Sequence, residues 1–204
     1  MESHPVRARR SRHRQEARRA ILDSTEALLL EAGEAEFSIR RLANRCGYSA
    51  PTIYHYFGDK DGLIDALLEE RFQQLVLRVR QVERRADPLA YMRELASAFV
   101  EFGLRNPTFY RLLTRARQRV PAAEEARDIM QAPLLELAAE GRLLTRDVKT
   151  AQQAAWAMLH GLTDLQIQRP DDPWTKDLNE EAIDLLLRGM IGAARASGSD
   201  GGDR

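Results

Sequence analysis

One cysteine occurs among the 204 residues, Cys46, so no disulfide can form within the chain. A lone thiol suits a reducing compartment, and the cytoplasm is the expected location. Cys46 falls on the inner face of a helical stretch, where a packed thiol is the reading rather than a redox sensor. No apolar run approaches the length of a membrane span, and the N-terminus lacks the apolar core of a signal peptide. A membrane is therefore not an expected partner. Lysine is nearly absent too: of 31 basic residues three are lysine, a bias that a GC-rich genome accounts for without any functional reading. Missing as well are HExxH, CxxC, GxSxG and a glycine-rich phosphate loop, and the four histidines share no face. Carboxylates stand mostly at helical spacing from arginines. Neither catalysis, nor a bound metal, nor a cofactor is expected. Nothing alternates with the period of a strand, and no repeat is found, which leaves an all-α chain.

Formal net charge is zero, but its distribution is uneven. Residues 1–60 hold 11 Arg and Lys against 8 Asp and Glu, a balance of +3, and residues 61–204 therefore balance at −3. Within residues 1–19 the count is 7 basic against 2 acidic. Positive charge gathers at the N-terminal end, the footprint of a polyanionic partner.

Immediately after it comes a pattern of two short helices and a tight turn. Ser38 can cap the first helix, in which Ile39, Leu42, Ala43 and Cys46 fall on one face. Gly47 tolerates the left-handed backbone that ends a helix. Ser49 can cap the second helix, with Pro51 in its first turn, where a missing N–H costs nothing. Ile53 and Phe57 mark its inner face and leave Ala50, Pro51, Thr52, Tyr54, His55 and Tyr56 outside. This spacing predicts a helix-turn-helix, whose second helix enters the major groove of DNA. On that placement Ala50, Pro51, Thr52 and His55 aim at base edges and thymine methyls. Ser38, Ser49, Tyr54, Tyr56 and Lys60 are assigned to the phosphate backbone.

The stretch FSIRRLANRCGYSAPTIYHYFGDKDGLIDALL resembles the DNA-binding signature of the tetracycline-repressor (TetR) family, over roughly residues 14–70. The resemblance implies an N-terminal three-helix DNA-binding domain followed by a C-terminal helical ligand-binding and dimerisation domain. It also implies a repressor, and Arg40 resembles a family position that can reach a guanine, with a phosphate as its other target.

The chain divides, on this reading, into a disordered basic arm at 1–14, a helix-turn-helix domain at 15–59, a ligand-binding and dimerisation domain at 60–196 and a disordered tail at 197–204. The arm is either a phosphate or minor-groove contact or a solvated tail. Helices are expected at about 60–85, 89–105, from 108, 121–140, 145–168 and 178–195. Candidate pocket walls are Phe99, Phe102, Phe109, Tyr110, Leu113, Trp156 and His160, residues that could equally be plain core. FGLRNPTFYRLL and WAMLHGL resemble the C-terminal domain of a TetR branch marked by Trp, His and Gly, here Trp156, His160 and Gly161. The last helix offers a stripe of Leu178, Ala182, Leu185, Leu186, Gly189, Met190 and Ala193, a face for a two-fold four-helix bundle.

The function expected is a homodimeric repressor that binds a palindromic double-stranded operator and is released by an unidentified small-molecule effector. The alternative is a DNA-binding regulator controlled by a protein partner, or an activator, with no small ligand.

Overall fold

The computed structural model describes residues 4–33, 35–113, 120–145 and 147–191, with backbone only for residues 4–8, 112 and 113. The described residues form helices α1 (His4–Ala32), α2 (Ile39–Cys46), α3 (Ala50–Phe57), α4 (Lys60–Arg80), α5 (Pro88–Arg105), α6 (Pro107–Leu113), α7 (Pro121–Ala139), α8 (Val148–Gln168) and α9 (Leu178–Met190). Among them no strand occurs, and one isolated bridge joins Leu143 to Ile191. The chain separates into two compact units, Met1–Arg71 with Arg111–Val120, and Phe72–Tyr110 with Pro121–Arg204.

In the first unit, α1 buries Ala17, Ile21, Leu22, Leu28 and Leu29, while α2 contributes Leu42 and α3 contributes Ile53 and Phe57. From α4 come Leu63, Leu67 and Leu68, all buried. Each leucine, isoleucine or phenylalanine among them contributes roughly 1.5–3 kcal/mol when withdrawn from water. Two ion pairs tie α4 to α1: Arg71 with Glu26, both largely buried, and Arg19 with Glu70 at 3.0 Å. Residues 60–71 of α4 thus belong to the same compact unit as α1, α2 and α3.

The second unit is built around α5, which packs on α7, α8 and α9, with α8 also lying against α7 and α9. Met92, Ala96, Val100, Leu134, Leu137, Leu159, Ile183 and Leu187 form its core. Pro133 sits inside α7, buried, and the helix continues through it. Asp87 caps α5 by accepting the N–H of Leu89 and also binds Arg142 at 3.1 Å.

Several expectations change. Residues 4–14, expected as an arm without structure, are the opening turns of α1. Arginine is a good helix former, and Pro5 stands in the first turn, where its missing N–H is harmless. Helix α4 stops at Arg80 rather than near Arg85, because residues 81–82 tighten into turns that bond back to Arg78 and Val79. Helix α9 ends at Met190, where the Leu144 N–H bonds the Met190 carbonyl. Leu186 and Met190, expected at a subunit interface, are buried in the chain's own core with Ile183 and Leu187. The tail at 197–204 lies outside the described residues.

Candidate nucleic-acid interface

The turn between α2 and α3 is held by backbone chemistry that the sequence supplies locally. Ser38 Oγ accepts the Arg41 N–H at 3.3 Å and opens α2. Gly47, at φ 74°, closes it and returns its N–H to Ala43. Ser49 Oγ accepts the Thr52 N–H at 3.3 Å and shares a 2.8 Å hydrogen bond with Thr52 Oγ1. These caps fix the orientation of α3, whose Ile53 and Phe57 face inward. Pro51, Tyr54 and His55 are exposed on its outer side, while Ala50, Thr52 and Tyr56 are half-buried. The His55 and Tyr56 rings meet edge to face at 5.7 Å.

Lys60, at the start of α4, donates to the Phe37 carbonyl at 3.4 Å and holds its ammonium 5.3 Å from the centre of the Phe37 ring. One of its three N–H donors is thereby used, and two remain for an anion. Arg40 is exposed and meets no carboxylate among the described residues. Its neighbours are otherwise engaged: Arg41 binds Glu36 at 2.6 Å, and Arg45 grips both oxygens of Glu31 at 2.5 and 2.7 Å. That pair lowers the Glu31 carboxyl and raises the Arg45 guanidinium from their ordinary values, through the hydrogen bonds each makes to the other. Two further cations are not signalled by the motif. The Arg14 guanidinium lies 5.9 Å from the centre of the Tyr56 ring, and that of Arg18 lies 5.5 Å from the centre of Phe57. Nothing in the local spacing of α3 points to them, since they come from a helix some forty residues upstream.

Residues 21–67 match the family described as bacterial regulatory proteins, tetR family, and residues 92–195 match the one described as tetracyclin repressor-like, C-terminal domain. The chain belongs to the TetR family. It is 35% identical over 86 residues to the HTH-type transcriptional regulator BetI of Burkholderia ambifaria, which covers 41% of this chain and 44% of that relative. The chain therefore spans less than half the length of the curated relative it matches. A structure described as a protein with unknown function, from Rhodococcus sp. RHA1, has a TM-score of 0.72 over 86% of this chain and 96% of its own, at 25% identity. The TetR family transcriptional regulator PfmR from Thermus thermophilus shares the fold, with a TM-score of 0.64 over 83% and 97% of the two chains, at 24% identity. The BetI relatives it matches are described as HTH-type transcriptional regulators.

Its second unit gathers most of the aromatic side chains singled out as pocket walls. Phe99 stands 6.4 Å from Tyr110 and 5.2 Å from His160, and the Trp156 ring lies tilted against His160 at 4.4 Å between ring centres. Tyr110 Oη and His160 Nδ1 share a hydrogen bond of 2.7 Å. Burial lowers His160 to about 4, against a smaller opposing pull from Asp164, so the ring is neutral at ordinary pH. Burial likewise raises the Tyr110 phenol. Phe102 and Phe109 form a neighbouring pair at 5.7 Å, with Phe72 against Phe109 at 5.0 Å. The side chain of Leu113 lies outside the described residues. Trp156 is 60% exposed, so the cluster reaches the surface at that ring.

The stripe expected on α9 splits in two. Leu186 and Met190 face the core, whereas Leu185 is 67% exposed, Gly189 is exposed, and Leu178 and Ala182 are outside the buried core. Ala193 lies outside the described residues. The neighbouring helix α8 presents Ala154, Met158, Gly161 and Leu165, all exposed and one turn apart. Among the described residues no helix is long and apolar enough to cross a membrane, and no three His, Cys, Asp or Glu side chains are grouped to hold a metal.

Proposed function

We propose that the protein is a homodimeric repressor that holds a palindromic operator with two copies of α3 and lets it go when a small molecule binds. The observation that carries the reading is the pair of uncovered apolar stretches on α8 and α9, Ala154, Met158, Gly161 and Leu165 on the first and Leu185 and Gly189 on the second. A patch of this composition on two adjacent helices suits a second copy of itself, which would bury it in a four-helix bundle. A two-fold protein reads a two-fold site. Ala50, Pro51, Thr52 and His55 are proposed to reach base edges, with Arg40 directed at a guanine or a phosphate. Ser38, Ser49, Tyr54, Tyr56 and Lys60 are proposed to hold the sugar-phosphate backbone.

The effector is proposed to enter against Phe99, Phe102, Phe109, Tyr110, Trp156 and His160. The chemistry supporting this is an aromatic lining, a neutral His–Tyr pair able to exchange its hydrogen bond for one to the ligand, and Trp156 at the surface. Helices α4 and α6 each run through the division between the two units, at 71/72 and 110/111. A displacement of Tyr110 therefore has a covalent route toward the DNA-binding helices. Selection of binding sites from random duplexes tests the reading. It should return inverted half-sites whose centres lie one helical turn, about 34 Å, or a multiple of it apart. Recovery of isolated, unpaired half-sites bound by monomer would refute it.

A further inference from the structure

The inner face of α1 does not end where the protein core ends. Arg10, Arg14, Ala17, Ile21, Thr25 and Leu28 follow one another at intervals of three or four residues and so share one side of the helix. From Ala17 onward that side is buried against the rest of the first unit. Before Ala17 every described side chain of α1 is exposed, and the same side carries arginine instead of apolar residues. The helix thus overhangs its own domain by several turns, with cations where a core would be.

What lies beside the overhang is the end of α3. Arg14 covers the Tyr56 ring and Arg18 the Phe57 ring, and Arg10 follows one turn further out, about 6 Å along the axis. The arginines of α1 to α4 also differ in what they meet. Arg19, Arg41, Arg45, Arg71, Arg78 and Arg80 meet carboxylates. Arg9, Arg12, Arg14 and Arg18, like Arg40, meet none among the described residues, and the one acid of that stretch, Glu16, faces His13 at 3.8 Å. Nor is there an acidic residue in the first turn of α1 to complement the helix dipole. The overhang is a cationic helix that its own core does not cover.

We infer that Arg10 and Arg14 form a second DNA-contact element, a rigid cationic rail that holds the phosphates running past the C-terminal end of α3, outside the base pairs the recognition helix reads. The partner follows from position: the polyanion nearest this face is the duplex seated on α3. Guanidinium groups bind phosphate oxygens in bidentate fashion, and the Arg14 guanidinium stands 5.9 Å from the centre of the Tyr56 ring, beside a residue proposed to hold the DNA backbone. A flexible arm attracts DNA through all its charges alike, whereas a helix commits the two arginines on one side and turns Arg9 and Arg12 away.

The inference rests on the DNA-binding reading, and matched variants separate the two. Binding of the full-length protein is measured against a selected 40-base-pair duplex and a scrambled duplex across a salt series. Arg10→Gln with Arg14→Gln should weaken both duplexes alike. It should flatten the slope of log affinity against log salt by about 0.9 for each phosphate no longer held, or about 1.8 per subunit. Arg9→Gln with Arg12→Gln removes the same charge from the far side and should leave at least half of that slope change unmade. Arg14→Lys, which keeps the charge, should restore most of the slope. Trimming the selected duplex to the half-sites alone should cost the wild type affinity and the Arg10/Arg14 variant little. Equal flattening by both double variants would overturn the rail in favour of diffuse attraction, as would an unchanged slope. A loss confined to the selected duplex would move these arginines to base contacts and also overturn it. A wild type that binds neither duplex would instead refute the regulator reading itself.

Discussion

Gly103 on α5 and Thr163 on α8 meet with no room for a methyl group between them. A Cβ on Gly103 would stand 2.6 Å from Thr163 Cγ2 and 3.0 Å from the Tyr110 ring. Thr163 is fully buried and bonds back to the Leu159 carbonyl at 2.8 Å, so it has little freedom to retreat. Tyr110 is fixed from the other side by His160. One missing side chain therefore sets the spacing of α5 and α8 and the seat of the Tyr110–His160 pair.

Gly103→Ala gains roughly 0.5–1 kcal/mol in helix propensity and loses about 1–3 kcal/mol to overpacking. The expected result is a net loss near 1 kcal/mol in urea denaturation, partly restored by adding Thr163→Ser, which removes the obstructing Cγ2. An alanine variant more stable than wild type would show that the helices part without cost.

The dimer face is tested by pairs of substitutions that differ in burial. Leu185→Arg with Met158→Arg should leave the fold and its helix content intact and shift sedimentation from dimer to monomer, because a charge buried without a partner at an interface costs several kcal/mol. Leu186→Arg should instead unfold the second unit, since that side chain is 5% exposed within the chain's own core. A dimer that survives the first pair of changes places the interface elsewhere.

His55→Ala and Lys60→Ala should fail in different ways. The first is expected to keep affinity for scrambled DNA and lose about 1–3 kcal/mol of discrimination at one base pair in each half-site. The second should weaken operator and scrambled duplex together and flatten the salt slope by about 0.9. Since Lys60 also bonds the Phe37 carbonyl, its thermal midpoint must be compared in parallel. Equal loss on both duplexes for His55→Ala would rotate α3 away from the placement proposed.

His160 predicts an acid dependence of stability. Its folded pKa, about 4, lies below the ordinary 6.5. Between those values the unfolded chain binds a proton that the folded protein refuses, so stability falls as pH drops. The contribution is fully present above 6.5 and is lost on descending to about 4, by at most about 1.4 kcal/mol per pH unit. His160→Gln should be less stable than wild type at pH 7, with the gap closing toward pH 4. A gap that stays constant over that range would mean that His160 is not held neutral by burial.

By itself the sequence determined the features that depend on near neighbours along the chain. Caps at Ser38 and Ser49 and the left-handed turn at Gly47 were legible because a cap is made by residues two or three positions apart. The inward pair Ile53 and Phe57, and the aromatics left outside, follow from helical period alone. So does the all-helical class.

Only tertiary structure decided which neighbour covers each apolar face. The period of α9 marks Leu185 and Leu186 as equally apolar, yet one meets solvent and the other the α5–α8 core. Nothing within thirteen residues of helix distinguishes them. Residues 4–14 read as an aperiodic tail because their arginines occupy the positions at which a core helix would show leucine. Continuity with Ala17 and Ile21, and contact with Tyr56 from a distant helix, give that face its meaning. Local hydrogen bonds are written in consecutive residues. Burial and charge pairing arise between segments that the order of the chain keeps apart, and they exist only once the chain has folded.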